Sequence, residues 1–494
     1  MIALLVLVPL LGGLALYAVP RRSEVAAKWL AVAISGAVFV LTAVSGGAPD
    51  VSVQWLSRPF VSAFHFGLGH GASYWIALLL GLTTVCSLVA AKVTRLRDFS
   101  AQMLVSYGAM LGVFLARDLL AFALFWDLML IPVFLILLEW GSSRNNGSAW
   151  RYLIYNLSGG LALLLATAAF GVVAGTTDVI GKPLGPDLAE IGSVWGPWVF
   201  AGFALAFAIK TPIWPFHTWM PATYTDLPAP AVAVVGAVQS KAGLYGFLVI
   251  GLGLFPTYMH AATGVLVTLG LVGLFYGGFI ALVSDDAKLV VGYSSLSHLG
   301  LMVIAIAAGN QLALGGALVY IVAHGLFTAG LFIVLGAIEQ REETRSLKRL
   351  GGLAEANPRL AGAVAIMTLA ALGLPGLAGF AGEILILTGL YQAGAVWVAI
   401  LALIPVVLAA AYMLRIFQGI MHGPEHADLP VRADLSPLEF ASLAPLAVAL
   451  VLLGVDPGPL AGAVNATGAA LHSASADAAV PGVSAVTSAK VAVR

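Results

Sequence analysis

Lys210 and Lys241, 31 positions apart, each sit inside a stretch that otherwise reads as membrane: VFAGFALAFAIKTPIWPFHTWM and APAVAVVGAVQSKAGLYGFLVIGL. An ammonium at the centre of a spanning helix costs roughly 2.5–3.5 kcal/mol on insertion scales, so it has to face protein or a water-filled cavity. A buried group that gains and loses a proton is what a proton path requires. Four more ionisable residues stand in apolar stretches: Asp127 in LLAFALFWDLMLIPVFLILLEWG, His298 in GYSSLSHLGLMVIAIA, His324 in LVYIVAHGLFTAGLFIVLG and Glu383 in GFAGEILILTGL. Spread over six helices of one bundle and bridged by water, this row would pass protons sideways as well as across.

Each residue also has a plainer reading. A lone intramembrane histidine is often a hydrogen-bonded packing residue. Asp127 and Lys210 could form a static ion pair that only fixes helix packing. Lys241 has no sequence-local partner, which leaves less room for a purely structural role. Glu139, beside Trp140 and Gly141, reads as a solvated interfacial carboxylate, and Asp285, Asp286 and Lys288 read as a helix cap. His65 and His70 share an outer loop, and their spacing alone is weak evidence for a metal.

The elements that must hold the row are membrane helices. Of the 494 residues 61% are hydrophobic and 9% charged, against about 25% charged in soluble domains. The apolar runs of roughly 18–25 residues match a hydrocarbon core of about 30 Å at 1.5 Å per residue. Barrel-type alternation is absent. An apolar start without a basic leading region reads as a retained first helix. Zero net charge gives no hint of a nucleic-acid partner; the partner implied throughout is the lipid bilayer. With one cysteine, Cys86, there is no thiolate cluster for a metal or iron–sulfur centre. No glycine-rich nucleotide fingerprint or haem ligand pair is present either, so no cofactor is expected in this chain.

The pattern predicts an all-α integral membrane fold with fourteen transmembrane helices. An even count puts both termini on one side. Basic residues then divide sixteen to five between alternate loops and helix ends, with the two buried lysines completing the 23. The richer set is assigned to the cytoplasm, so both termini lie outside. Two segments are broken: 194–220 by Pro212 and Pro215, and 360–391 by Pro375 and the glycines of GLPGLAGFAGE. Paired breaks in corresponding halves point to inverted repeats with an ion site at each. The expected organisation is helices 1–3 with an outer loop over 1–99, a first five-helix repeat (helices 4–8) over 100–257 and a second (helices 9–13) over 258–425. Helix 14 follows over 426–460, then a poorly ordered outer tail over 461–494.

Several motifs carry a resemblance: FWDLMLIP, FAIKTPIWPFHTWMPATYTDLPAP, the lysine 31 positions on, DDAKLVVGYSSLSHLG and LGLPGLAGFAGE. From about residue 75 to 425 the chain resembles the antiporter-like subunits of respiratory complex I, relatives of Mrp-type cation/proton antiporter subunits. Glu383, where L-type and N-type subunits place a lysine, resembles the M-type. The resemblance implies a proton-conducting axis, no bound redox group, and neighbouring antiporter-like subunits in the membrane arm of a NADH:quinone oxidoreductase of the bacterial inner membrane. NADH and quinone would bind elsewhere in the complex, whose redox chemistry would drive the transfer. On this reading Asp127 holds the Lys210 proton, and weakening the pair passes a proton to Lys241, then by His298 or His324 to Glu383 and the periplasm. The departures are Asp127, one methylene shorter than the family glutamate, and Ala222 and Tyr224, where the family has an acid and a histidine. Alternatives are an Mrp-type Na⁺/H⁺ antiporter subunit, a hydrogenase-type membrane complex, or a scaffold that only packs the membrane arm.

Overall fold

The structure, a computed structural model, describes residues 1–69, 71–142, 146–181, 195–423 and 433–465. His70, Arg144, Lys182, Arg432 and the tail beyond 465 lie outside the described residues. The chain is a helical bundle, and among the described residues eleven helices are long and apolar enough to cross a membrane. Three shorter apolar helices, Ile2–Leu16, Gly196–Lys210 and Pro358–Ala371, accompany them.

The first elements are α1 (Ile2–Leu16), α2 (Glu24–Val44), a two-stranded antiparallel hairpin of β1 (Val51–Leu56) and β2 (Ser62–Phe66), α3 (Ala72–Ala90) and α4 (Leu96–Leu115). A nearly continuous pair, α5 (Leu119–Leu128) and α6 (Leu130–Trp140), carries Asp127, and α7 (Gly147–Ala174) packs against both. Next comes the first broken helix. Its first half, α8 (Gly196–Lys210), stops two residues before Pro212, which cannot donate to the ladder. The chain resumes as α9 (Trp219–Asp226). Backbone groups freed inside a bundle have to find partners. Ile213 N–H donates to the Ala208 carbonyl at 2.9 Å, and the Trp219 indole caps the Ile209 carbonyl at 2.9 Å.

The following helix is irregular without being broken. It runs α10 (Ala229–Val234), a π turn over Val235–Gln239, α11 (Lys241–Gly246), a second π turn over Phe247–Gly251, and α12 (Leu252–Leu254). A π turn holds one extra residue and displaces a carbonyl from its usual donor. Lys241 begins right after the first of them.

The second half repeats long packed helices: α13 (Pro256–Val283), α14 (Ala287–Ala308) and α15 (Gln311–Glu342). α13 and α14 pack along each other, and α15 is buried through its apolar middle. After the short α16 (Leu353–Ala356), α17 (Pro358–Ala371) ends and α18 (Ala378–Gln392) begins on either side of Pro375. The bundle finishes with α19 (Val396–Met421) and α20 (Pro437–Val455).

Ion pairs gather at the two ends of the bundle. At one end Arg95 pairs with Glu139, Lys288 with Glu339 at 2.7 Å, and Arg345 with Asp286 at 3.0 Å. There too Glu439, in the first turn of α20, takes Lys92 at 2.8 Å and Arg341 at 2.8 Å, tying α20 to the loop after α3 and to the end of α15. These cations belong to the set that the charge count groups on one side. At the other end Asp118 caps α5 through Leu120 and Ala121 N–H and also accepts from Ala63 N–H, Ser62 Oγ and Thr177 Oγ1. That single carboxylate joins the hairpin, α5 and the turn after α7.

Candidate functional site

Lys210 is the last residue of α8, so its side chain leaves the helix where the ladder stops. It is 1% exposed. Its Nζ donates to Asn156 Oδ1 on α7 at 3.2 Å and lies 5.4 Å from the Trp126 ring centroid, a cation–π contact. The direct bond to Asp127 is not made: Asp127 Oδ1 is buried without a hydrogen-bond partner. Asp127 rests against Gly160, where a Cβ would sit 1.8 Å from Oδ1. Asn156 and Gly160 are one turn apart on α7, so one face of this helix meets the lysine at Asn156 and the acid at Gly160.

A second turn of the same helix reaches toward Lys241. Tyr152, four residues before Asn156, accepts from Gln239 Nε2 at 2.7 Å, and Gln239 ends the π turn that precedes Lys241. Lys241 is fully buried. Its ammonium folds back onto the Gly236 carbonyl at 2.5 Å and Ser240 Oγ at 3.4 Å. Gly236 is five residues back, inside the π turn, so the wide turn supplies the acceptor that an apolar span lacks.

Gly236 packs on α15: a Cβ there would stand 3.4 Å from Thr328 Cγ2. Thr328 Oγ1 lies 3.3 Å from His324 Nδ1. The His324 and His298 rings are edge to face with centroids 5.4 Å apart. His298 Nε2 is 3.2 Å from the Tyr412 hydroxyl, and its ring is 5.7 Å from that of Tyr320. The Tyr320 hydroxyl donates to Glu383 Oε1 at 2.7 Å. Glu383, in the second turn of α18, has its other oxygen against Gly373 in the break; a Cβ there would lie 2.2 Å from Oε2. Gly373 has φ +76°, so backbone and space both call for glycine.

All six residues singled out in the sequence are thus buried or half-buried within the bundle, and the structure groups them in two clusters. One holds Asp127, Lys210 and, through Tyr152 and Gln239, the neighbourhood of Lys241. The other holds His324, His298 and Glu383. No direct hydrogen bond joins Lys241 to His324; Gly236 and Thr328 lie between them. Buried ring nitrogens His298 Nδ1 and His324 Nε2 have no hydrogen-bond partner. Side chains and waters free to reorient would be needed to carry a proton across these gaps.

The sequence reading missed Tyr152, Asn156, Gln239, Tyr320, Thr328 and Tyr412. A signal existed for most of them. Tyr152, Asn156 and Gly160, and likewise Tyr320, His324 and Thr328, recur every fourth residue, which aligns them on one helix face.

Ionisable groups buried at interruptions of apolar helices define a multi-pass membrane protein built to handle charge inside the bilayer. Residues 116–409 match the model of the NADH:quinone oxidoreductase/Mrp antiporter transmembrane family, and the chain belongs to that family. It is 32% identical to NADH-quinone oxidoreductase subunit M of Rhodobacter capsulatus over 92% of this chain and 93% of that protein. Among solved structures it superposes on a chain of respiratory complex I from Thermus thermophilus with TM-score 0.85 and 32% identity, covering 95% of this chain and all of that one. The fold is also shared with a chain of the Mrp complex from Dietzia sp., with TM-score 0.82 and 21% identity over 95% of this chain and 97% of that one.

Proposed function

We propose that this chain is a proton-translocating, antiporter-like subunit in the membrane arm of a NADH:quinone oxidoreductase, and that Asp127, Lys210, Lys241, His298, His324 and Glu383 carry the protons. The carrying observation is that both buried lysines, both histidines and both acids occur within one bundle, the lysines and acids at or beside its helix interruptions and the histidines in mid-helix, with polar side chains spaced between them. Charges this deep in a bilayer are costly, and a path for ions is the usual reason for keeping them. The relatives named NADH-quinone oxidoreductase subunit M favour the complex I assignment over an Mrp-type or hydrogenase-type complex.

In this reading the eleven long spans and three short apolar helices, with α8–α9 and α17–α18 each counted as one broken span, make fourteen crossings. Helices 4–8 and 9–13 are two inverted repeats. The Arg95, Lys92, Lys288, Arg341 and Arg345 end faces the cytoplasm of a bacterial cell, and both termini face outward. The neighbours are other antiporter-like subunits. NADH and quinone react elsewhere in the complex, and this chain holds no redox group of its own.

The chemistry then is charge transfer. Lys210 loads through Asn156 and the nearby Asp127. Were the two brought to about 4 Å at an effective dielectric near 20, their attraction would be roughly 4 kcal/mol, so a movement of α7 or α8 that closed that distance would alter where the proton rests. It passes to Lys241, then to the histidines, and by Tyr320 to Glu383 and the outside. Complex carrying Lys210→Ala or Lys241→Ala, purified with all subunits and reconstituted in vesicles, is expected to oxidise NADH with little or no acidification of the lumen. Undiminished pumping in both would overturn the assignment and favour a scaffold role. Sodium-dependent quenching by the chain alone would instead favour the Mrp-type reading.

A further inference from the structure

Gln239 touches three elements at once. It is the last residue of the π turn before Lys241, and it is fully buried. Its Nε2 donates to the Tyr152 hydroxyl on α7 at 2.7 Å and makes a longer contact, 3.4 Å, with the Met129 carbonyl. Met129 is the joint between α5 and α6, two residues past Asp127. The row of six ionisable residues makes no use of this carboxamide, and an amide neither gains nor loses a proton near neutral pH. What it carries has to be position.

Each link from Lys210 to Gln239 is a contact. Lys210 Nζ donates to Asn156 Oδ1 at 3.2 Å, and Asn156 Nδ2 donates to the Tyr152 carbonyl, one turn back on α7, at 2.9 Å. Both ends of that amide are used, so its oxygen is held toward the ammonium. The Tyr152 and Trp219 rings meet edge to face with centroids 5.7 Å apart, and the Trp219 indole N–H is fixed on the Ile209 carbonyl beside Lys210. Tyr152 and Trp219 are fully buried, so neither ring has solvent to swing into.

On the other side of Gln239 the π turn has two ways to use one carbonyl. In an ordinary α-turn the Gly236 carbonyl would accept from the Ser240 N–H, four residues on. Here the Ser240 N–H is turned to the Val238 carbonyl, and the Gly236 carbonyl accepts from Lys241 Nζ. Tightening the π turn to an α-turn would return that carbonyl to the backbone and set the Lys241 ammonium against a competitor.

We propose that Gln239 is the positioning residue that couples the two lysines: through Tyr152 and Met129 it holds the π turn open while Asn156 holds Lys210, and so keeps the Gly236 carbonyl for Lys241. This rests on the proton-translocating reading above and adds to it the coupling between its two lysines. A hydrogen bond to an ammonium is roughly twice as strong as one between neutral groups. While Lys210 carries its proton, Asn156 is held hard against it, this face of α7 is fixed, and Tyr152 keeps its grip on Gln239. When Lys210 empties, that bond weakens, α7 relaxes, and the π turn closes on the Gly236 carbonyl. Lys241 then loses its acceptor and passes its proton on toward the histidines. Lys241 thus accepts while Lys210 is loaded and discharges after it has emptied.

The test uses the whole complex in vesicles and reads protons moved per NADH oxidised for Gln239→Leu, Tyr152→Phe, Asn156→Leu and the double variant Tyr152→Phe/Asn156→Leu, with Lys210→Ala in parallel. Tyr152→Phe keeps the ring on Trp219 and deletes only the hydroxyl. It and Gln239→Leu are expected to lower the ratio by a similar factor while NADH oxidation continues. Because these residues act in one linkage, the double variant is expected to fall no further than the lower of its two singles. A double-variant loss equal to the product of the single losses, as two independent packing defects would give, overturns the proposal. So does a fall of yield and NADH oxidation at constant ratio, the mark of a purely structural contact. A wild-type ratio in Tyr152→Phe overturns it as well, and that variant decides the matter even if Gln239→Leu does not assemble. A normal ratio in Lys210→Ala would instead sink the underlying reading.

Discussion

Gly160 decides where Asp127 can be. A Cβ at 160 would overlap Asp127 Oδ1 at 1.8 Å, so the carboxylate would have to move. Gly160→Ala is expected to displace the acid at an overpacking cost of about 1–3 kcal/mol. Pumping should fall several-fold while the complex still assembles, measured as lumen acidification per NADH; an unaltered ratio would mean that the Asp127 position is irrelevant. Asn156 is the complementary case. Asn156→Leu keeps the branched shape and removes the Lys210 acceptor, leaving a buried ammonium with only the Trp126 face and the longer-range pull of Asp127. Loss of one partner of a buried charged group costs roughly 1–3 kcal/mol or more. A lower unfolding temperature of the purified complex and slower pumping are expected, with Asn156→Asp recovering the stability. The six ionisable residues were legible because charge is conspicuous in an apolar run. Asn156 was not, because an amide carries no charge, and only its i, i+4 relation to Tyr152 and Gly160 marks it.

At the scale of elements, α15 unites one face of the second cluster. Tyr320, His324 and Thr328 run along one stripe, so the helix touches Glu383 at one point, His298 at the next and the π turn below Lys241 at the third. Tyr320→Phe keeps the ring against His298 and deletes only the hydroxyl. It is expected to slow pumping and leave NADH oxidation uncoupled from it, more than Thr328→Val does; equal pumping in both variants would remove Tyr320 from the path. The two breaks followed from proline and glycine in the sequence, as backbone chemistry dictates. The π turns did not. Val235–Gln239 and Phe247–Gly251 contain nothing that forbids an ordinary α-helix, and their extra residue is set by packing of the irregular helix on α15 and α8.

For the whole molecule, ion pairs at one end join segments far apart in sequence. Glu439 links α20, α15 and the loop after α3, and the turn at Asp285 receives the loop after α15. There Ser346 Oγ and Lys348 N–H bind the Asp285 carboxylate. Those hydrogen bonds, the one from Ser346 foremost, hold its carboxyl below the usual carboxylate range. A lowered carboxyl stabilises the fold above its unfolded value, near 3.9, and that contribution disappears as pH falls through the lower folded value. Asp285→Asn is therefore expected to loosen the 343–350 segment to proteolysis at neutral pH, with wild type and variant converging in acid; a difference that persists in acid would rule out this origin. Charge counting along the sequence grouped these ends correctly, since Lys92, Arg341 and Arg345 meet at one end. It gave no sign of which pairs form, because partners such as Lys92 and Glu439 are separated by most of the bundle and are brought together only by packing.

The fit of Asp127 against Gly160 also constrains how this protein changes over generations. An acid one methylene longer at 127 gains reach toward Asn156 and Lys210, yet it meets the same wall; any side chain at 160 meets the acid. Neither position drifts freely while the other stays as it is. Among related chains the two sites should vary together or not at all, so that ancestry leaves a paired signature across α5 and α7 at the place where we propose that the lysine is loaded.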